Sequence, residues 1–117
     1  MASSATTNSA FVNLAASSTD GPFTGGTLPS ALAGAKVAVY GVVLSEGDTT
    51  PSSVTFNSKP SGAGTAISAL LKASANGGFV MAPGSEPYFT TKTGEGLTVT
   101  TGAGSATGIQ VVWKYVY

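Results

Sequence analysis

The chain contains no cysteine, no histidine and no arginine. Without cysteine there is neither a disulfide framework nor a thiolate metal site. Without histidine the commonest general base and the commonest neutral metal ligand are missing, and triads of the Ser-His-Asp and Cys-His types are excluded. Without arginine there is no bidentate clamp for phosphate or carboxylate groups. These absences favour a protein that is not an enzyme and that needs no cofactor or metal.

Charge is also scarce. Five lysines balance five acidic residues, and only 9% of the residues are charged, compared with roughly 25% in ordinary soluble domains. A freely diffusing monomer usually keeps a net charge, which helps to keep it soluble. A surface with zero net charge and few charged residues therefore indicates contact with other protein molecules. The alternative is a neutral, threonine-rich β-domain that is simply soluble. The five lysines form no basic cluster, so we expect no nucleic-acid partner.

Long hydrophobic runs are absent too. No run approaches the length of a transmembrane helix, so we expect no membrane partner. No secretory signal is visible, because the first basic residue is Lys36 and the interrupted apolar stretch at 10–16 lacks a basic flank. We therefore expect the chain to be made and folded in a cytoplasm.

Small residues dominate what is present. The chain of 117 residues holds 16 threonines, 16 glycines and 15 serines, and 17 of its hydrophobic residues are alanines. Glycine and serine are poor helix formers and threonine is stiff at χ1, so this composition favours strands and turns. Large apolar side chains are few, so we expect one domain with a thin core between two sheets.

Short apolar or alternating segments recur at intervals of roughly 8–12 residues, separated by Gly, Pro and Asp turn signals, which is typical of a sandwich or barrel. Residues 66–75 are the one segment with helical potential, but their period of two favours a strand. We predict an all-β, antiparallel β-sandwich of about eight strands. Its strands are 36–44, 53–59, 65–71, 79–82, 88–91, 97–101 and 109–117, after a possible strand at 10–16.

The N-terminal third has a different character. Residues 1–9 are small and polar and predict a flexible arm. Turn signals fill residues 17–34, with only Phe23 and Leu28 as apolar anchors. We therefore divide the chain into an N-terminal arm with an extended docking segment, 1–34, and a β-sandwich domain, 35–117. The arm and the turn-rich stretch 17–34 are both candidates for lying on a neighbouring molecule.

Two predicted strands are apolar on both faces. Strict alternation along 36–44 places Val37, Val39 and Val43 on one face and Ala38, Tyr40, Val42 and Leu44 on the other. Along 109–117, Ile109, Val111, Trp113, Tyr115 and Tyr117 share a face. A sandwich buries one face of each strand, so the second face needs cover, either from a symmetric oligomer or from a loop. The candidate interface residues are Tyr40, Val42, Leu44, Trp113, Tyr115, Tyr117, Phe11 and Phe23.

The chemically suggestive residues have simpler explanations. Glu46, Asp48, Glu86 and Glu95 could in principle serve glycoside hydrolysis or bind calcium, but their spacing favours solvated turn acids. The glycine-rich run 102–108 looks like a phosphate-binding loop. It is followed by a strand rather than a helix, which indicates a hairpin loop.

A series of short motifs runs from Lys36 to Tyr117, and their order is more specific than any single motif. They are VVLS at 42–45, SVTFNS at 53–58, TAISALL at 65–71, ANGGFV at 75–80, YFTT at 88–91, TGEGLTVT at 93–100 and VVWKYV at 111–116. This order resembles a small module that recurs in virion genes of tailed bacteriophages. Residues 1–35 have no counterpart in the module.

The resemblance implies a jelly-roll-like β-sandwich located in the virion. It implies a capsid decoration (cement) protein, made in the host cytoplasm, that sits as a trimer on a shell of major capsid protein. It carries over no catalytic residues. The principal alternative is a head- or tail-fibre module that recognises host glycans through Trp113, Tyr115, Tyr117 or Tyr88. A non-viral oligomeric shell protein and a small glycan hydrolase are further alternatives.

Overall fold

The computed structural model describes residues 8–14, 19–20, 27–46, 51–59, 64–74, 76–102 and 107–117. Within these ranges the chain forms one short 3-10 helix, Ser30–Leu32, and ten strands. The strands are β1 (Asn8–Leu14), β2 (Thr19–Asp20), β3 (Lys36–Glu46), β4 (Ser52–Lys59), β5 (Thr65–Ala66), β6 (Leu71–Ala73), β7 (Gly78–Met81), β8 (Phe89–Thr90), β9 (Gly96–Thr101) and β10 (Thr107–Val116). None of the described residues belongs to a helix long and apolar enough to cross a membrane.

The strands form two antiparallel sheets. Sheet A has the order β1-β10-β3-β7, and β8 also pairs with β3. Sheet B has the order β2-β9-β4-β5, and β6 also pairs with β4. If β5 with β6, and β7 with β8, are each counted as one interrupted strand, each sheet has four strands in jelly-roll order. The predicted all-β, jelly-roll-like sandwich of about eight strands is confirmed.

The core lies between the two sheets. Side chains alternate between the faces of a strand, so every second residue of the long strands points inward. Phe56 of β4 and Phe89 of β8 meet across the core with their ring centroids 4.9 Å apart. The other large buried apolar side chains among the described residues are Leu28, Val37, Val39, Val42, Leu44, Val54, Leu97, Val99, Ile109, Val111 and Trp113.

The alternation of β3 is interrupted by a bulge. Val112 of β10 pairs with Gly41, whereas the next residue, Trp113, pairs with Val39, so Tyr40 is the extra residue of β3. The bulge reverses the parity of the strand. Val37 and Val39 point inward before it, and Val42 and Leu44 point inward after it. The sequence-based assignment of Val43 to the face of Val37 and Val39 is therefore wrong.

The predicted strand at 65–71 is divided in two, and no helix forms there among the described residues. β5 pairs with Asn57 and Ser58, whereas β6 pairs with Ser52–Val54 at the other end of β4. Between them the Phe56 N–H donates to the Ser68 hydroxyl oxygen, at 2.9 Å, instead of to a backbone carbonyl. A serine side chain that replaces a ladder carbonyl lets the chain bend away from the sheet.

Parts of the segment 1–34 contribute to the sandwich. β1 pairs with β10 along its full length. Leu28 is buried in the core, and its N–H donates to the Gly94 carbonyl at 2.9 Å. The Gly94 N–H in turn donates to the Ala35 carbonyl at 2.7 Å. Residues 1–7 of the predicted arm lie outside the described residues.

Candidate protein-protein interface

The outer face of sheet A, the face that points away from the core, carries a row of side chains across four strands. Phe11 of β1 pairs with Gln110 of β10, Gln110 pairs with Val43 of β3, and Val43 pairs with Val80 of β7. Phe11 is 76% exposed, Val43 42% and Val80 66%. We call these four residues the exposed row. Three large apolar side chains aligned in this way on one surface are typical of a contact site for another protein.

A groove runs along each side of the exposed row. On one side a groove of about 220 Å³ is lined by Asn13, Gly108 and Ser45, which lie two residues from the row along β1, β10 and β3. On the other side a groove of about 110 Å³ is lined by Gly41, Val112, Met81 and Pro83. Glycine lies in both grooves, where a larger side chain would fill the depression. The exposed row therefore stands as a ridge between two shallow channels.

The loop between β7 and β8 covers one end of the sheet and leaves the ridge open. The Tyr88 hydroxyl donates to the Ala82 carbonyl at 2.6 Å, which closes the loop. The Pro83 ring lies over Gly41, because a Cβ atom on Gly41 would stand 2.9 Å from Pro83 Cγ. The sequence predicted that the second face of β3 would be covered either by an oligomer or by a loop. The loop between β7 and β8 covers this face at Gly41 but leaves Val43 exposed.

The exposed row is uncharged. The Lys114 ammonium of β10 lies 4.8 Å from the centre of the Tyr40 ring, in a cation–π contact. The Gln110 side-chain amide donates to the Ser9 hydroxyl at 3.3 Å. A partner of this face would therefore meet apolar groups, an amide and hydroxyls rather than a charge pattern.

The outer face of sheet B has a different chemistry. Its side chains on β4 and β9 include Thr55, Asn57 and Thr100, and the Asn57 amide donates to the Thr100 hydroxyl at 2.9 Å. Thr55 and Thr100 are half-buried and Asn57 is buried, so these described strands carry no row of exposed apolar side chains on this face. The contrast identifies the outer face of sheet A as the candidate interface.

The structure distributes the eight candidate residues named from the sequence over several environments. Val42, Leu44 and Trp113 are buried in the core of this chain, so their side chains are not accessible to a second molecule. Tyr40 and Tyr115 are half-buried, and Tyr115 packs against the core. Phe11 and Tyr117 are exposed. Phe23 lies outside the described residues. Of this set, Phe11 alone belongs to the exposed row.

The aromatic residues named for glycan binding are likewise separated. Trp113 is 7% exposed and Tyr115 packs against the core, whereas Tyr88 and Tyr117 are exposed. Exposed aromatic rings are what a sugar would stack on, so two of the four residues retain that ability.

The acidic candidates occupy three different settings. Glu46, at the end of β3, is buried and its N–H donates to the Gly77 carbonyl. Glu95 is half-buried, and its Oε1 accepts a hydrogen bond of 2.6 Å from the Ser58 hydroxyl. Glu86 is exposed, and Asp48 lies outside the described residues. Among the described residues no group of three or more acidic side chains converges on one point.

Sequence reasoning missed Val43, Val80 and Gln110 as interface residues. Strict alternation placed Val43 on the same face as Val37 and Val39, because it made no allowance for an extra residue in β3. Gly41 was the available signal, since a glycine inside a strand often marks a bulge. Val80 and Gln110 carried no such signal, because their place in the row depends on strand pairing.

No protein-family model matches the chain, and no curated protein matches it. Among solved structures, the chain is similar to a chain described as the cyanophage Pam1 capsid asymmetric unit. The sequence identity is 15% and the TM-score is 0.41, over 94% of this chain and 85% of that chain. At this identity and TM-score the likeness does not extend to function.

Proposed function

We propose that this chain is a structural protein of a phage virion, a decoration or cement protein that binds the outside of a capsid through the outer face of sheet A. The observation that carries the proposal is the exposed row, Phe11, Gln110, Val43 and Val80, because the described residues of β4 and β9 in the other sheet carry no such row of exposed apolar side chains. Its occupant is the major capsid protein of the shell. The motif order from Lys36 to Tyr117 supports the assignment to a virion.

The chemistry of the row suits a contact that stabilises without catalysis. Burying apolar surface contributes roughly 25 cal/mol per Å² to the free energy of association. Val43 and Val80 are exposed in the free chain, so this stabilisation becomes available only when a partner covers them. Many copies that bind only the assembled shell shift the equilibrium toward assembly by mass action. Reinforcement of this kind needs no nucleophile, general base or metal, in keeping with a chain without His, Cys or Arg.

Low charge also fits a protein that works in many copies side by side. A chain of zero net charge can be packed closely on a surface without self-repulsion. The family resemblance favours a trimer as the unit that sits on the shell.

The proposal is tested with empty heads of the phage that encodes the chain, prepared from a deletion mutant that lacks this gene. Purified wild-type protein is added, the heads are sedimented, and the bound protein is measured together with the temperature at which the heads open. We expect saturable binding and a higher opening temperature. Because the row is uncharged, binding should change little between low and physiological salt.

Two matched variants locate the contact. Val43→Lys places a charge at the centre of the row and should abolish binding to heads. Leu70→Lys places the same charge on another exposed apolar residue, between β5 and β6 of sheet B, and should bind like the wild type. A wild-type protein that is monomeric by light scattering and does not bind the heads would overturn the proposal, as would equal loss in both variants.

A glycan array separates the proposal from the fibre-module alternative. A cement protein should bind no sugar on the array. Specific binding that is lost on Tyr88→Ala or Tyr117→Ala would favour the alternative, since these are the two named aromatic residues that remain exposed.

A further inference from the structure

The edge of sheet A formed by β1 differs from every other described sheet edge. β1 has seven residues, whereas the strands at the other edges have between two and four. An edge strand presents N–H and C=O groups along its outer side that pair with no further strand of the sheet, and proteins often protect such an edge by shortening the strand or by placing Lys or Pro in it.

β1 has none of these protections. Its sequence, Asn-Ser-Ala-Phe-Val-Asn-Leu, contains no charged residue and no proline. Its pairing with β10 runs through seven consecutive positions without a bulge. An extended, uncharged edge of this length is suited to pair with a further strand.

The outward-facing side chains of β1 are arranged symmetrically about Phe11. Ser9 and Asn13 stand two residues before and after it on the same face, where Ser9 accepts a hydrogen bond from Gln110 and Asn13 lines the larger groove. If the strand is laid antiparallel on a copy of itself, Phe11 faces its twin and each Ser9 faces an Asn13. Aromatic side chains and hydroxyl–amide pairs are both favourable across strands.

We infer that β1 pairs antiparallel with β1 of a second copy of this chain, centred on Phe11. A twofold contact requires a surface that is complementary to itself, and the Ser-Phe-Asn pattern meets that condition. The inference goes beyond the proposed function and does not rest on it. Because the contact joins copies two at a time, in a shell of trimers it would join neighbouring trimers.

The pairing has a consequence for the outer face. The exposed row begins at Phe11, so two copies joined at β1 align their rows end to end across one continuous sheet. The joined pair presents two identical exposed rows. A partner surface that binds both rows at once is bound more tightly than one that binds a single row.

The register is tested by disulfide trapping, for which this cysteine-free chain gives a clean background. Residues directly opposite in an antiparallel pair have Cβ atoms about 4.5–5.5 Å apart, close enough for a disulfide after a small adjustment. Under mild oxidation Phe11→Cys should form a covalent dimer on a non-reducing gel. An equimolar mixture of Ser9→Cys and size-tagged Asn13→Cys, which keeps Phe11 in place, should form mainly the mixed dimer.

Val80→Cys is the control, because Val80 is similarly exposed at the far end of the same row. It should stay monomeric on the gel at the same concentration. The inference fails if neither Phe11→Cys nor the mixed pair forms a dimer, or if Val80→Cys is trapped as fast as Phe11→Cys. It also fails if Ser9→Cys alone is trapped as fast as the mixture. The free protein is used throughout, so the result is independent of whether heads are bound.

Discussion

Trp113 of β10 lies opposite Val39 of β3, although strict pairing from the adjacent Val112–Gly41 pair would place it opposite Tyr40. The extra residue, Tyr40, reverses the parity of β3. As a result Val42 and Leu44 enter the core, and Val43 lies at the centre of the exposed row. The bulge is thus the local feature that creates the candidate interface.

Beside the bulge, Pro83 and Met81 leave no room for a side chain at Gly41. A Cβ atom on Gly41 would lie 2.9 Å from Pro83 Cγ and 3.3 Å from the Met81 carbonyl oxygen. We expect Gly41→Ala to lower the free energy of unfolding by about 1–3 kcal/mol, as overpacking does. Gly84→Ala is the control, since its Cβ would meet nothing within 4 Å. Urea unfolding followed by circular dichroism measures both, and equal stabilities would contradict the prediction.

Two phenylalanines should separate stability from association. Phe56 is fully buried against Phe89, so Phe56→Ala should destabilise the fold by about 3–5 kcal/mol. Phe11 is 76% exposed, so Phe11→Ala should change the free energy of unfolding by less than about 0.5 kcal/mol while it weakens association between copies. Thermal unfolding and analytical ultracentrifugation are the measurements. A large loss of stability in Phe11→Ala would show that it serves the fold instead.

The Ser58 hydroxyl joins β4 to the turn before β9. It donates to Glu95 Oε1 at 2.6 Å and accepts from the Lys92 N–H at 2.9 Å, and the residue is fully buried. Ser58→Ala removes both bonds, and we expect a loss of about 1–3 kcal/mol in the free energy of unfolding. Ser85→Ala, at an exposed position, should be close to neutral. Indistinguishable denaturation midpoints would refute this prediction.

The single tryptophan reports directly on the inner face of β10. Trp113 is 7% exposed, so its fluorescence should be blue-shifted in the native protein and poorly quenched by iodide. Unfolding in guanidinium should shift the emission to the red and make it accessible to the quencher. Strong quenching in the native state would place Trp113 on the surface and return it to the set of possible glycan contacts.

The strands themselves could be read from the sequence because their signals are local. Alternating apolar residues such as Val54 and Phe56, bounded by glycine and proline, specify an extended segment whatever it pairs with. Small residues and the lack of large apolar side chains likewise indicated a thin, two-layer core. The observed β3, β4, β9 and β10 lie within two residues of the predicted bounds at each end.

The interruption of a strand could not be predicted from local sequence in the same way. Ser68 divides β5 from β6 because its hydroxyl replaces a backbone carbonyl as the acceptor for Phe56, a residue twelve positions earlier. Nothing in the local pattern of 65–71 distinguishes that serine from one that simply faces solvent. The competition between side chain and backbone is resolved only when β4 lies alongside.

For the candidate interface, too, local sequence predicted one part and strand pairing decided the other. From the composition of the chain, with little charge and neither His, Cys nor Arg, we predict contact between proteins rather than catalysis. Which residues form the candidate interface depended on register, because Phe11, Gln110, Val43 and Val80 come from distant parts of the chain and become neighbours only through strand pairing. A single extra residue in β3 then reversed which side chains point inward in the part of the strand that follows it. Side-chain direction alternates with every residue, so local sequence specifies the alternation, and the paired sheet decides which residues face outward.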